Sequence, residues 1–392
     1  MRIRNSRSAI PGHCRISFVH RFVAGACVLL AVAACLAFPR VIGKMPDLEV
    51  YWKAAVRARA AEALYRVEDQ HYQFKYAPAF AVLAIPIGLV PLAAAKSIWY
   101  PASVALVLAL VWLSVRLLPE RRRPGWLLVL IVTAAMAKFY GHEIVLGQVN
   151  ALFAVIVLLA LASLRTGGEV RAGLLLALAV VVKPYAAIFV PWLLARRRAG
   201  SVAACLAGLL FVLALPAALY GIPGDVELHR GWWKTVTEST APNLANADNV
   251  SIAGMYAKWL GPGSSPRTLT VATAGAVLAV VGFVFIRRRA LPFPEALEGA
   301  LLLTAIPLLS PQGWDYVFLI STPAIAFIVN YEDRLPRVLR VLAIVAIAVV
   351  GLSVFDLMGR RLYAAFMATS ALTVCFFVIA AALTALRARK IA

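Results

Sequence analysis

Charged residues are scarce in this chain. Of its 392 residues, 15% are Asp, Glu, Lys or Arg and 62% are hydrophobic, whereas an average soluble domain is about a quarter charged and about half apolar. This composition excludes a cytosolic globular enzyme, a disordered protein and a disulfide-stapled secreted module. It indicates an integral membrane protein.

Cysteines and paired metal-ligating residues are also rare. The five cysteines are scattered, and no two have the spacing of metal ligands. We interpret them as small apolar residues, mostly within helices. The chain has no His-x-x-x-His or Asp-x-Asp pairing, so we expect no tightly held metal ion and no other cofactor.

Acidic residues number 18 against 39 basic ones, which gives a net charge of +21. The basic residues occur in short runs between apolar stretches, for example Arg121–Arg123, Arg196–Arg198, Arg287–Arg289 and Arg387–Lys390. Such runs are typical of cytoplasmic loops under the positive-inside rule. We therefore expect a multi-pass cell-membrane protein with both termini in the cytoplasm, and no nucleic acid as a partner.

The apolar stretches predict a single all-α polytopic domain over residues 1–392, with about 10–13 transmembrane helices and twelve preferred. Candidate spans are 22–42, 98–118, 126–140, 148–164, 171–182, 184–195, 200–220, 268–286, 296–309, 316–330, 340–358 and 363–386.

The stretch 77–93 is interrupted by Pro86 and Pro91 and is either a kinked span or a non-spanning element. Treating it as non-spanning places nearly all the arginine runs on the cytoplasmic side. The basic segments 1–21 and 387–392 then lie in the cytoplasm, and the two long loops, 43–75 and 221–267, lie outside.

The apolar segment 171–195 carries basic residues at both ends and Lys183-Pro184 at its centre. A single straight helix would place Lys183 at mid-membrane, which is energetically expensive. Proline also disfavours helix at the residue before it. The segment is therefore predicted to form a hairpin of two short helices, with Lys183 at the tip near the outer face.

Asp47 stands out among the outer-edge carboxylates, which also include Glu49, Glu143 and Asp315. It follows the first span by a few residues, so its carboxylate is held at a fixed depth. The alternative is an N-cap of an amphipathic helix over Asp47 to Tyr65, lying at the headgroup level. Composition alone favours the N-cap.

Other polar residues at this edge have two interpretations each. Lys75 either snorkels to lipid phosphates or binds the phosphate of a lipid-linked substrate. Gln148 and Asn150 are either ordinary caps at the start of a span or hydrogen-bonding groups for sugar hydroxyls. Trp314 is either an interfacial anchor in a simple turn or part of a binding site.

Six short motifs follow one another in a recognisable order. They are Asp47-Leu48-x-Val50-Tyr51-x-x-Ala54, Phe74-x-Tyr76-x-Pro78, Gly147-Gln148-x-Asn150, Lys183-Pro184, Asn249-x-Ser251 and Ser310-Pro311-x-x-Trp314. In this order the chain resembles glycosyltransferase family 87, the polyprenol-phosphate-mannose-dependent mannosyltransferases of the GT-C superfamily. The resemblance covers roughly residues 45 to 316.

The resemblance implies a GT-C-like bundle whose outer loops form the active site. It implies transfer of a hexose, mannose first among the candidates, from a polyprenyl phosphate to a glycolipid or glycan acceptor, with inversion. In such enzymes the carboxylate of the first outer loop is the general base, which here is Asp47. The lipid phosphate leaves without a diphosphate, so a divalent ion is not obligatory, and Lys183 and Lys75 are candidates to stabilise it.

The residues that we expect to bind substrate are Lys75, Tyr76, His142, Gln148, Asn150, Lys183, Asn249, Ser251, Trp314 and Asp315. One departure from the family concerns Asp315 and Tyr316, which stand where many members have histidines. This departure leaves the identity of the transferred sugar undetermined.

A transporter or a flippase for lipid-linked sugars is the alternative function. Transporters often contain inverted repeats and ionisable residues at the membrane midplane. We find no internal repeat here, and the polar residues gather at one membrane edge, which favours the transferase.

Overall fold

The computed structural model describes residues 35–286 and 293–389. The chain divides into two compact units, Met1–Lys44 and Met45–Ala392. In the first unit residues 35–42 are helical. Most of the predicted span 22–42, the basic segment 1–21, the run Arg287–Arg289 and residues 390–392 lie outside the described residues.

The second unit is built from helices, and its described residues contain no β-strand. We number the helices α1 (Pro46–Arg59), α2 (Pro78–Leu83), α3 (Ile85–Gly88), α4 (Leu92–Arg116), α5 (Gly125–Leu146), α6 (Asn150–Arg165), α7 (Glu169–Val182), α8 (Phe189–Ala195), α9 (Ala199–Ala214), α10 (Ala217–Asn243), α11 (Ile252–Leu260), α12 (Ser264–Ile286), α13 (Pro294–Leu309), α14 (Thr322–Tyr331), α15 (Arg337–Leu352), α16 (Phe355–Ala368) and α17 (Ala371–Ala388). Shorter 3-10 segments are Val67–Tyr72, Pro184–Ile188, Asp315–Ser321 and Glu332–Arg334.

Within residues 35–286 and 293–389, four helices, α4, α5, α12 and α17, are long and apolar enough to cross a membrane. The number rises to six if two bent pairs are each one span: α9 with α10, bent by 90°, and α15 with α16, bent by 107°. The prediction of an all-α polytopic membrane protein is confirmed.

Fewer described helices reach spanning length than the ten to thirteen predicted. Several of the predicted spans form helices with too few residues to cross a bilayer. Helices α6 and α13, for example, have 16 residues each. At 1.5 Å per residue such a helix is about 24 Å long, whereas the hydrocarbon core of a bilayer is about 30 Å thick.

The proline-interrupted stretch 77–93 forms two short helices, α2 and α3, of 6 and 4 residues. Neither is long enough to cross a bilayer. Both pack against α1, and the Cβ that an alanine would add at Gly88 would lie 3.0 Å from Cβ of Ala55. This stretch therefore supports α1 from one side.

The segment around Lys183 breaks as Pro184 predicts. Helix α7 ends at Val182, Lys183 is extended with φ −146° and ψ 107°, and a 3-10 turn leads into α8. Helix α7 packs closely against α9: a Cβ at Gly173 would lie 2.3 Å from the backbone oxygen of Ser201. Glycine thus permits the approach of these two helices.

The arginines of several predicted cytoplasmic loops bind carboxylates from other such loops. Glu298 is fully buried and accepts hydrogen bonds from Arg196 (Nε, 2.6 Å) and Arg387 (Nε, 2.7 Å). Arg198 lies 2.7 Å from a carboxylate oxygen of Glu295. We call the set Arg196, Arg198, Arg387, Glu295 and Glu298 the arginine cluster. It brings together the turn between α8 and α9, the first turns of α13 and the end of α17.

Candidate active site

Asp47 is positioned by a close contact between the start of α1 and the end of α5. Met45, with a left-handed φ of 50°, donates its backbone N–H to Val145 O at 3.1 Å. Gly147 ends α5 with φ +70°, and a Cβ there would lie 2.8 Å from Cβ of Leu48. Glycine meets both requirements, so the chain brings Asp47 beside Gln148.

The Asp47 carboxylate is bound by Gln148 and does not cap α1. Nε2 of Gln148 donates to Oδ2 of Asp47 at 2.8 Å. Met45 occupies the N-cap position, and no side chain caps this helix. The N-cap interpretation of Asp47 is therefore wrong. The expected helix is present but shorter than predicted, because it covers Pro46–Arg59 and ends before Tyr65.

Two tyrosines and Lys183 extend the Asp47–Gln148 contact. The hydroxyls of Tyr51 and Tyr76 lie 2.6 Å apart, and Tyr51 donates to Oε1 of Gln148 at 3.0 Å. Nζ of Lys183 donates to the Tyr76 hydroxyl at 2.7 Å. A carboxylate, an amide, two phenols and an ammonium group are therefore joined in one hydrogen-bonded network.

Burial and positive charge act on Asp47 in opposite directions. Burial raises the pKa of Asp47 above its ordinary value of 3.8, while the Gln148 hydrogen bond and the charges of Lys183 and Lys75 lower it in part. Burial lowers the pKa of Lys75, and the Asp47 carboxylate opposes that shift. One carboxylate thus shares a partly desolvated site with two lysine ammonium groups.

Asn150 is directed into the protein by Glu143. Its Nδ2 donates to Oε2 of Glu143 at 2.9 Å, and the backbone N–H of Ala151 donates to Oε1 of Glu143 at 2.7 Å. Glu143 and Asn150 are both fully buried. Glu143 therefore caps the start of α6 from the preceding helix, a role that sequence reasoning missed.

His142 and Asp315 meet in a second cluster, next to Lys138. Oδ2 of Asp315 lies 3.7 Å from Nζ of Lys138 and 3.7 Å from Nδ1 of His142. The side chains of Lys138 and Asp315 are almost completely buried, whereas 46% of the His142 side chain is exposed. Only the imidazole of this cluster is therefore open to a ligand.

Asn249 and Ser251 hold together two loops that were predicted to lie outside. Asn249 pairs with Trp314 through an antiparallel bridge, and its Nδ2 donates to Pro311 O at 2.9 Å. The Ser251 hydroxyl donates to Oδ1 of Asn249 at 2.8 Å and accepts from Gly254 N at 2.9 Å, capping α11. Because both side chains are almost fully buried, their contacts fix the backbone around Trp314.

The second long loop folds over the first. The indole N–H of Trp232, in α10, donates to the backbone oxygen of Lys75 at 3.1 Å. The Tyr65 hydroxyl donates to the backbone oxygen of Tyr76 at 2.7 Å. These two contacts fix the backbone of residues 75–76, which carry the lysine and the phenol of the site.

The structure therefore joins Asp47, Tyr76, Gln148 and Lys183 directly and places Lys75 within electrostatic reach of Asp47. Asn150 lies next to Gln148. The other predicted residues form two separate sets of contacts, His142 with Asp315, and Asn249 with Ser251 and Trp314. Sequence reasoning did not assign a role in the site to Tyr51, Lys138, Glu143 or Tyr316. Only the resemblance to a family motif pointed to Tyr51. Within residues 35–286 and 293–389, no group of three or more His, Cys, Asp or Glu side chains is placed to hold a metal ion.

Residues 74–311, more than half of the chain, match the sequence model of glycosyltransferase family 87. No curated protein matches the chain. The matched range contains Lys75, Gln148 and Lys183, whereas Asp47 precedes it and Asp315 follows it.

Proposed function

The chain belongs to glycosyltransferase family 87, and from this premise we propose that it transfers a hexose from a polyprenyl-phosphate sugar to a hydroxyl of a glycolipid or glycan. Mannose is the first sugar to test. The observation that carries the proposal is the pairing of one partly dry carboxylate, Asp47, with the ammonium groups of Lys183 and Lys75 in a single site.

The proposed reaction is a single displacement at the anomeric carbon. The acceptor oxygen forms a bond to that carbon as the bond to the phosphate oxygen breaks, and the leaving oxygen takes the electron pair. The acceptor proton passes to Asp47. The configuration at the anomeric carbon inverts because attack and departure occur on opposite faces of the sugar.

Asp47 suits the role of general base on two grounds. Its Oδ2 is held by Gln148, and among the described residues none donates a hydrogen bond to Oδ1, so one oxygen is available to the acceptor. A raised pKa also brings a carboxyl group closer to the proton affinity that general-base catalysis needs near neutral pH.

Lys183 and Lys75 are proposed to stabilise the departing phosphate. Charge-assisted hydrogen bonds to phosphate are about twice as strong as neutral ones, and charge develops on the phosphate in the transition state. The hydroxyl of Tyr76 is bonded to Lys183 and therefore lies beside the place proposed for the departing phosphate. His142, with its exposed imidazole, is proposed to contact a sugar hydroxyl, and Asp315 orients it.

Asn150, Asn249 and Ser251 are proposed to serve the site mainly as supports. The side chains of Asn150, Asn249 and Ser251 are almost fully buried, so they act through the backbone and the groups that they hold. Trp314 is half-buried and remains a proposed binding surface for a sugar ring.

We propose that the protein lies in the cell membrane with the site on the extracytoplasmic side and both termini in the cytoplasm. The arginine cluster supports one part of this topology. Its segments touch one another, so residues 196–198, the start of α13 and the C-terminal end of α17 must lie on the same side of the membrane. A reporter fused at residue 240 should be active only outside, and one fused at residue 197 only in the cytoplasm. The opposite pattern would contradict the topology.

The donor is tested with membranes that contain the protein and radiolabelled polyprenyl-phosphate mannose, followed by analysis of extractable glycolipids. Label should enter a glycolipid with the natural chain and not with Asp47→Asn. A result in which no label is transferred, while a nucleotide sugar supports transfer, would overturn the donor assignment.

A further inference from the structure

The side-chain amide of Gln148 has polar neighbours on both of its ends. Its oxygen Oε1 lies 3.0 Å from the Tyr51 hydroxyl, 3.3 Å from the Tyr76 hydroxyl and 3.5 Å from Nδ2 of Asn150. The residue is 5% exposed. Groups able to donate a hydrogen bond therefore surround the oxygen end of a buried amide.

The nitrogen end of the same amide faces acceptors. Nε2 of Gln148 lies 2.8 Å from Oδ2 of Asp47 and 3.5 Å from the Tyr316 hydroxyl. An amide oxygen only accepts and an amide nitrogen only donates. Turning the amide over would place its oxygen against the Asp47 carboxylate, so the neighbours select one orientation.

Lys183 determines which way the tyrosine hydroxyls donate. An ammonium group has no acceptor, so the Tyr76 hydroxyl must accept at the 2.7 Å contact with Lys183. Its single proton is then available for the Tyr51 oxygen, 2.6 Å away. Tyr51 in turn donates to Oε1 of Gln148. One chain of hydrogen bonds thus runs from Lys183 through Tyr76, Tyr51 and Gln148 to Asp47, and the 3.3 Å contact to Oε1 of Gln148 is the alternative use of the Tyr76 proton.

We propose that Tyr51 is a positioning residue for the transfer reaction: its hydroxyl fixes the Gln148 amide so that Nε2 is bound to Oδ2 of Asp47 and the other carboxylate oxygen is left for the acceptor. The inference rests on the proposed function of Asp47. Tyr51 is 2% exposed, so it acts through Gln148 and not by contact with the substrate.

The expected signature is a change in the titration of the base. The hydrogen bond from Gln148 lowers the pKa of Asp47, so weakening that bond raises the pH at which the base becomes protonated. The other groups that act on Asp47 are Lys183, His71, Lys75, Tyr76 and Tyr316. Tyr51→Phe leaves all of these side chains in place and removes one hydrogen-bond partner of the Tyr76 hydroxyl, so a shift reports on the hydrogen-bonded path from Tyr51 and Tyr76 through Gln148 to Asp47.

The first test measures the pH dependence of transfer from radiolabelled polyprenyl-phosphate mannose to membrane glycolipid. Tyr51→Phe should lower kcat about tenfold, leave KM for the donor nearly unchanged and move the acidic limb of the profile upward by about one pH unit, as expected for a lost hydrogen bond to a charged group. Tyr140→Phe is the matched control, because its buried hydroxyl is bonded to Thr322 at 3.0 Å and has no link to Gln148. An unshifted acidic limb in Tyr51→Phe overturns the inference.

The second test is a double-mutant cycle with Gln148→Met, which removes both ends of the amide. Because Tyr51 acts through Gln148, adding Tyr51→Phe to Gln148→Met should cost little further activity. Additive losses in a Tyr51→Phe chain that melts like the natural one would overturn the positioning role. The proposed function is judged separately: if Asp47→Asn retains activity the base assignment fails, whereas an inactive Asp47→Asn with an unshifted Tyr51→Phe rejects only the role of Tyr51.

Discussion

The Asp315 carboxylate lies 3.7 Å from the ammonium group of Lys138, and both side chains are almost completely buried. Lys138 is held from a second side by Ser353, whose backbone oxygen is 3.1 Å from Nζ. This pair ties the loop before α14 to the middle of α5. It also places an ion pair directly beside Tyr316, whose hydroxyl lies near Gln148.

Removing one partner of this pair should destabilise the protein. Lys138→Met leaves the buried Asp315 charge without its ammonium partner, and such a loss costs about 3–5 kcal/mol. Combining it with Asp315→Asn should recover part of that cost, because neither charge is then left unpaired. Thermal unfolding in detergent measures both effects. Full stability of Lys138→Met with loss of transfer would instead assign this pair a chemical role.

Asp47→Asn should reduce transfer on the order of a hundredfold or more, because the amide cannot accept the acceptor proton. Glu49→Gln is the matched control: Glu49 is two residues away and its carboxylate binds Lys53 at 3.1 Å on the surface. Its transfer rate should be nearly normal. If Asp47→Asn is active while Glu49→Gln or Asp315→Asn is inactive, the base is a different carboxylate.

The pH dependence follows from the raised pKa of Asp47. Transfer should decline as the pH falls through a value above 3.8, the ordinary pKa of this group, since the base is then protonated. The free energy of unfolding changes with pH in the opposite direction to the transfer rate. Because the folded state binds the Asp47 proton more tightly, ionised Asp47 destabilises the fold above that pH. Asp47→Asn should therefore melt at the same temperature as the natural chain, or higher, at neutral pH. A clear drop in the melting temperature of Asp47→Asn at neutral pH would contradict the prediction that ionised Asp47 destabilises the fold.

Lys183→Met should raise KM for the polyprenyl-phosphate donor by about tenfold or more, since hydrogen bonds to charged groups contribute about 1.5–3 kcal/mol. Methionine keeps the length of the side chain and removes its charge. Lys53→Met is the control, because the Lys53 side chain is 47% exposed and bound to Glu49. Unchanged rates at subsaturating donor would leave Lys183 as a structural partner of Tyr76.

Gly173→Ala should destabilise the α7–α9 contact, by about 1–3 kcal/mol, the usual cost of overpacking. The new Cβ would lie 2.3 Å from the backbone oxygen of Ser201, which cannot yield as a flexible side chain would. Gly275→Ala in α12 is the control, since no atom lies within 4 Å of its added Cβ. It should be neutral or slightly stabilising. Equal melting temperatures for the two variants would show that α7 and α9 pack less closely.

Some features were predictable because they depend on local chemistry. The lack of charge predicted a membrane protein, Lys183-Pro184 predicted the end of α7 and the turn after it, and the order of six motifs predicted the family. Asp47 was identified as a candidate by its distance from the first span along the chain. These inferences need only the composition, short stretches of neighbouring residues or the order of short motifs along the chain.

The tertiary structure alone decided which polar groups meet. Asn150 faces Glu143, Asp315 faces Lys138, and the Asp47 carboxylate binds Gln148 rather than its own helix. Hydropathy also could not distinguish a full span from an apolar helix of 16 residues, because both bury apolar side chains. The physical reason is that a hydrogen bond between residues about 100 positions apart depends on how helices pack, and packing depends on the shapes of many side chains at once.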